Sequence, residues 1–289
     1  MNKIIVHPGT AHKDDFLAVS ALLATLDRVE VFRREPTAED LADLSTYVVD
    51  IGLEYDPLKN NFDHHQDQNL PCAFHLVMQH LGYHEGAMEV FGWYPFMSVI
   101  DVQGPHRAAE HLGVETSVLF SSSSPIDGYI LSKFSRVKSL RKNDMLFSLM
   151  KEMGQEFIAM IGLKKNRLEL LKTEAEVVRV KGFKILVNKI SDNPKLSMEL
   201  YLRFLNDERI VMSISPSIRG KGWELLRLGD NSIVDFRAIS NAPAVRFVHA
   251  NGYVATTQEL IPLEDVFQLA ARSISEFGMH RVDIKKILQ

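Results

Sequence analysis

Within the first fifty residues, short apolar runs alternate with helix-like segments, and no other feature of the sequence constrains the fold as strongly. Ile4-Ile5-Val6 is a short, wholly apolar strand. From Asp14 to Leu26 the apolar residues fall at 16, 17, 19, 22, 23 and 26, which is a helical period. Val29-Glu30-Val31-Phe32 and Tyr47-Val48-Val49 read as further strands, separated by a helix from Thr37 to Leu44. Asp40 follows Thr37 at the spacing of a capping box, with Asp in place of the usual Glu. Strand, helix, strand, helix, strand at this spacing predicts a parallel α/β sheet with right-handed crossovers. Two more helices are expected near 73–82 and 86–100.

The alternation breaks at Ser121-Ser122-Ser123-Ser124-Pro125, a loop composition. A long helix is expected from about Asn143 to about Val178, a stretch without proline and with only Gly154 and Gly162. Beyond Gly182 the chain turns strand-rich, at Phe183–Val187, Ile210–Ser215, Trp223–Leu228 and Arg246–His249, and a helix from Leu263 to Phe277 follows. The expected organisation is an α/β domain over 1–125, a basic helical bridge over 126–181 and a smaller C-terminal α+β domain over 182–289.

Hydrophobic residues make up 46% and charged residues 24% of the 289, so the chain can bury a core and is not disordered. A single cysteine, Cys72, rules out an internal disulfide framework and a thiolate zinc cage. No apolar run is long enough to cross a membrane, and Met1-Asn2-Lys3-Ile4 leads straight into a strand, so a cytoplasmic location is expected. The net charge of −4 hides an asymmetry: residues 133–184 hold 13 Lys and Arg against 6 Asp and Glu. A polyanion would be drawn to that region alone.

Four segments carry groups suited to metal chemistry: His7-Pro8-Gly9-Thr10-Ala11-His12-Lys13-Asp14-Asp15, Val49-Asp50, Asp63-His64-His65 and Ile100-Asp101. Ligands of open parallel sheets collect beyond the carboxyl ends of the strands. His7 follows the first strand and Asp50 the third, so both should face one crevice, with His12 and Asp14 reaching back over it. Imidazole and carboxylate without thiolate suit Mn²⁺, Fe²⁺, Co²⁺ or Zn²⁺. Three histidines and three aspartates exceed the needs of one tetrahedral ion and suit two ions sharing a carboxylate.

These segments in this order, with Phe247-Val248-His249-Ala250-Asn251-Gly252-Tyr253 far downstream, resemble the Myg (melanocyte-proliferating-gene type) family of the DHH phosphoesterase superfamily. That superfamily includes RecJ-type exonucleases and manganese-dependent pyrophosphatases; the Myg family has also been labelled metal-dependent protein hydrolase. The resemblance implies a DHH-type N-terminal domain holding two divalent ions, Mn²⁺ foremost, with Mg²⁺, Co²⁺ or Zn²⁺ as alternatives. It implies that His7, His12 and Asp50 hold one ion, and that Asp14, His64, Asp101 and the shared Asp50 hold the other. His65 would face the phosphate, and Asp63 would orient a ligand histidine. The sequence departs from the family at Asp67, where arginine is usual, and at Asp101-Val102-Gln103-Gly104, where the family has Asp-Asn-Gly. Both departures bear on substrate contacts rather than on the ligand set.

The remaining histidines, His75, His80, His84, His106, His111 and His280, are read as surface or core residues. Lys133, Arg136, Lys138, Arg141 and Lys142 are candidates for nucleic-acid contact, against the plainer reading of a solvated face. His249 and Arg246 are candidates for a phosphate or sugar contact. The function expected is a two-metal phosphodiesterase acting on RNA, DNA or short oligonucleotides, an exonuclease in type. Hydrolysis of a small compound such as pyrophosphate and non-catalytic metal-binding regulation are the alternatives. Peptide hydrolysis lacks a His-Glu-x-x-His helix and a nucleophile dyad. No membrane partner is expected, and the oligomeric state is left open, a homodimer included.

Overall fold

A computed structural model describes residues 1–121, 124–189, 195–229 and 232–275, with the backbone alone at 195–197. The chain divides into two compact units, Met1–Leu163 and Lys164–Gln289. The first contains β1 (Asn2–Val6), α1 (Lys13–Thr25), β2 (Val29–Arg33), α2 (Ala38–Ala42), β3 (Thr46–Val49), β4 (Tyr55–Asp56) and β5 (Asn61–Phe62). After these come α3 (Ala73–His80), α4 (His84–Val90), α5 (Tyr94–Leu112), α6 (Thr116–Ser121), α7 (Pro125–Arg136) and β6 (Ser139–Leu140). Helix α8 (Met145–Glu174) contains the division between the units.

The first sheet runs β4-β5-β3-β1-β2-β6. β1 is parallel to both β2 and β3, and β3 to β5; β4 and β6 add antiparallel edges. Ile4, Ile5 and Val6 are fully buried, as befits the central strand of a sheet covered on both faces. Because β2 and β3 lie on opposite sides of β1, the chain changes direction across the sheet there. The crevice beyond the carboxyl ends of β1 and β3 is therefore the topological switch point.

Local chemistry accounts for the elements that frame this crevice. At the start of α2 the carboxylate of Asp40 accepts the Thr37 backbone N–H at 2.8 Å while Thr37 Oγ1 accepts that of Asp40 at 3.2 Å. Arg34 adds two further hydrogen bonds to Asp40, and these hold its carboxyl well below the usual range. A depressed carboxyl contributes stability above its unfolded pKa and loses it as pH falls. Asp40→Asn should therefore flatten the loss of stability on acidification below about pH 4, read from urea midpoints.

The glycine expected inside the long helix has a packing reason. A Cβ on Gly154 would lie 2.0 Å from the Ser20 carbonyl oxygen of α1, so α8 approaches the backbone of α1 at that point. Alanine gains about 1 kcal/mol in helix propensity. The backbone displacement it forces costs more, so Gly154→Ala should lower stability by roughly 1–3 kcal/mol, measured by chemical denaturation.

The second unit carries β7 (Ala175–Val180), β8 (Phe183–Asn188), α9 (Lys195–Leu205), β9 (Ile210–Pro216), β10 (Trp223–Arg227), a 3₁₀ turn (Phe236–Ile239), β11 (Val245–Val248), β12 (Val254–Thr257) and α10 (Leu263–Ser273). Its sheet runs β11-β12-β10-β9-β8-β7, with β8 and β9 parallel and the other pairs antiparallel. Ile185, Ile214, Leu225 and Ala255 from the strands pack with Phe236, Val266 and Leu269 in one core.

Three elements differ from expectation. The helix expected to reach Val178 stops at Glu174, and β7 begins at once. Lys181 and Gly182 both have positive φ (48° and 83°), the backbone of a tight hairpin turn, which draws the valine-rich β7 onto β8. The helix expected over 86–100 is interrupted at 91–93, giving α4 and α5. The last helix ends at Ser273, and the residues expected to extend it at 276–277 lie outside those described.

Candidate metal centre

At the carboxyl end of β3, Asp50 adopts a left-handed backbone (φ 59°) while its N–H donates to the Phe62 carbonyl at 3.1 Å. A non-glycine residue in this region is uncommon, though aspartate and asparagine tolerate it best. The turn lets Asp50 present both carboxylate oxygens to histidines: Oδ2 lies 3.4 Å from His7 Nε2 and Oδ1 lies 3.2 Å from His64 Nε2. His64 Nε2 is also 3.2 Å from Asp101 Oδ2. Asp101 stands on α5 ahead of a kink at Gly104-Pro105, where Gly104 leaves the helical conformation.

The six predicted ligands form one connected cluster. Ligand atoms of His7, His12 and Asp50 lie within 4.8 Å of one another, as do those of His12, Asp14 and Asp101 and those of Asp50, His64 and His65. Asp14, Asp50 and His64 are buried, whereas His12 is exposed at the start of α1. Burial, then the charges of Asp50, Asp101 and Asp15, push the Asp14 carboxyl well above its usual range. At His64, burial acts to lower the pKa, but Asp101 and Asp50 outweigh it and raise the ring to about 10.

The donor set fits divalent cations. Both carboxylate oxygens of Asp14, Asp50 Oδ1 and His64 Nε2 are buried without a hydrogen-bond partner, despite the short His64–carboxylate distances. Orphaned buried acceptors facing an imidazole nitrogen are costly by themselves, and a cation satisfies all of them at once.

Asp63 and His65 stand beside the cluster. Asp63 Oδ1 accepts the His64 N–H at 2.7 Å and the His65 N–H at 3.2 Å, and lies 2.7 Å from His65 Nδ1; Asp63 Oδ2 accepts the Leu53 N–H at 2.6 Å. Burial acts to raise the Asp63 carboxyl, yet these bonds from His65 and Leu53 bring it below its usual value. Asp63 thus holds His64 through the backbone and His65 through the ring. The His65 side chain is 55% exposed, open to an incoming ligand.

Sequence reasoning left Asp15 and Arg33 without a role. Asp15 is fully buried, 2.9 Å from His7 Nε2, and accepts the His12 N–H at 3.0 Å. Arg33, at the end of β2, is 3.5 Å from Asp15 and donates to the Gly9 and Thr10 carbonyls at 3.2 and 3.1 Å. Its guanidinium also lies over the Phe134 ring, 4.3 Å from the centroid. Together they fix the loop that carries His7 and His12. The available signals were the Asp14-Asp15 doublet and a cation ending an otherwise strand-like run.

The basic candidates do not form one patch. β6 runs antiparallel to β2, so Lys138, whose carbonyl accepts the Arg33 N–H, lies at the crevice end, as do Lys133 and Arg136 in the last turn of α7. Arg141 pairs with Glu30 at 3.2 Å, and with Lys142 it lines a groove of about 770 Å³ beside Met1, Leu26 and Val29, at the opposite edge. All five are exposed. In the second unit, His249 follows β11, and its Nδ1 accepts the Asn251 N–H at 3.1 Å. Arg246 donates to Thr256 Oγ1 and to the Arg219 carbonyl. Of the unassigned histidines, His75 is a satisfied core residue: burial lowers its pKa to about 4, its Nε2 is 2.9 Å from the Tyr94 carbonyl, and its ring stacks on Tyr94 at 4.0 Å. His280 lies outside the described residues.

Fold and site together define an α/β protein with a buried carboxylate–imidazole centre suited to divalent cations. Residues 3–75, the segment bearing the first three motifs, match the family model MYG1_exonuc, described as Uncharacterised protein family (UPF0160), which shows the resemblance to the Myg family over that segment. No curated protein matches the chain. Among solved structures it is similar to an uncharacterized protein from Helicobacter pylori G27 (11% identity, 93% of this chain and 99% of that one, TM-score 0.25). An exopolyphosphatase-related protein from Bacteroides fragilis matches at 10% identity over 93% of this chain and 90% of that one, TM-score 0.26. The exonuclease RecJ bound to manganese matches at 13% identity over 94% of this chain and 90% of that one, TM-score 0.32. Likenesses this distant carry no argument by themselves. Among the described residues no helix is long and apolar enough to cross a membrane.

Proposed function

We propose that this protein is a metal-dependent phosphoesterase that hydrolyses phosphodiester bonds of nucleic acid or short oligonucleotides, acting as an exonuclease. The observation that carries the reading is the set of buried, unpartnered oxygens of Asp14, beside His12 and Asp101, and of Asp50, beside His7 and His64. His7, His12 and Asp50 would hold one divalent ion, and Asp14, His64, Asp101 and the shared Asp50 a second. Bound there, such ions supply an activated water at neutral pH and offset phosphate charge. His65, held by Asp63 at Nδ1, has its other ring nitrogen for a phosphate oxygen. Lys133, Arg136 and Lys138 draw a strand toward the crevice; Arg141 and Lys142, beside Glu30 at the far end of β2, stand apart from that path. His249 and Arg246 serve as phosphate contacts.

The test is metal-stripped protein titrated with Mn²⁺, Mg²⁺, Co²⁺ and Zn²⁺ against end-labelled RNA, DNA and pyrophosphate. Release of labelled mononucleotides is expected. Phosphate release from pyrophosphate alone would favour the small-substrate reading, and metal uptake without any turnover a regulator. His249→Ala is expected to keep its metal content and lower oligonucleotide turnover roughly tenfold to a thousandfold, as for loss of one oriented donor. Steady-state kinetics with elemental analysis of the same sample check this.

A further inference from the structure

The strand β11 leaves three rings together on one side of the second sheet. Val248 is paired with Ala255 and packs into the core, so Phe247, paired with Thr256, faces the other way. Phe247 is 49% exposed and Tyr253 38% exposed, so both rings are open to a ligand. His249 sits between them, 6.5 Å from the Phe247 ring and 4.1 Å from the Tyr253 ring.

This arrangement is built rather than incidental. The Gly252 N–H donates to the His249 carbonyl at 2.8 Å, closing a turn in which Gly252 has φ 69°. A Cβ there would lie 2.1 Å from Asp235 Oδ1, so the turn is pressed against Asp235, itself paired with Arg237. The turn brings Tyr253 back under His249. Because His249 Nδ1 accepts the Asn251 N–H, the proton of the neutral ring sits on Nε2, which has no partner among the described residues.

Cations border the rings. Arg246 precedes Phe247, and its guanidinium reaches the carbonyl of Arg219 on the turn between β9 and β10, where Arg219 and Lys221 are exposed. Adjacent aromatic faces and cations suit a single strand, whose bases stack while its phosphates meet the positive charge. A protein partner would gain little from three separate cations beside so small an apolar area.

We propose that Phe247 and Tyr253, on either side of His249, are a stacking surface for the bases of a single-stranded nucleic acid; this rests on the phosphodiesterase reading and specifies its substrate. Binding without turnover isolates the surface: metal-stripped full-length protein is titrated into a labelled single-stranded oligonucleotide and into an abasic strand of equal length. Phe247→Ala and Tyr253→Ala should each weaken binding of the base-bearing strand by about fivefold to a hundredfold, with less than about twofold change for the abasic strand. Tyr253→Phe should bind both strands as the wild type does. Equal losses on the two strands, or none on either, would overturn the stacking surface. Manganese-loaded wild type that binds the oligonucleotide and cleaves no phosphodiester would instead count against the enzymatic reading, leaving the comparison of strands intact.

Discussion

Asp50→Asn is expected to lose at least one bound divalent ion and to lower phosphodiester turnover by more than about a hundredfold, the scale set by losing groups that merely support a metal ligand. Asp50 is the carboxylate common to two of the ligand groups, with one oxygen toward His7 and the other toward His64. Asparagine suits the variant because it accepts the left-handed backbone at φ 59°, where alanine would add strain to the loss of charge. The fold should therefore survive, with thermal melting of the metal-stripped forms little changed. Elemental analysis and steady-state hydrolysis on one preparation check the outcome. Full metal content with wild-type turnover would remove Asp50 from the centre.

The second large effect is on stability. Arg33→Met should cost roughly 3–5 kcal/mol, because it leaves the buried Asp15 carboxylate without its cation. The same change releases the Gly9 and Thr10 carbonyls and so loosens the loop that carries His7 and His12. Asp15→Asn in the Arg33→Met background should recover part of the loss, since no uncompensated charge then remains. Urea denaturation of the two single variants and the double variant gives the coupling directly. A loss below about 1 kcal/mol in the single variant would mean that solvent reaches Asp15.

The parallel core of the first unit was legible because its signals are local. Ile4-Ile5-Val6 and Tyr47-Val48-Val49 are apolar enough to be buried on both faces, and the helical period of α1 separates the first from its neighbour. The Thr37–Asp40 capping box was legible for the same reason. Features decided by partners distant in sequence were not. Edge strand β6 is only two residues long and exists through its pairing with β2. Strand β7 follows directly on a long helical run with no breaker between them, and the Lys181-Gly182 turn decides its conformation. At the site, the side chains that the structure gathers into one cluster could be read from the motifs. The service of Asp15 and Arg33 could not, since it depends on β2 ending beside the loop after β1.

The central claim, a divalent metal centre built on Asp50, is tested most directly by counting ions. Metal-stripped wild-type protein is titrated with Mn²⁺ while free Mn²⁺ is followed by electron paramagnetic resonance, beside Asp50→Asn. The account predicts two ions taken up per wild-type chain and fewer in the variant. No uptake by wild type at millimolar Mn²⁺, or the same uptake by both proteins, would contradict it.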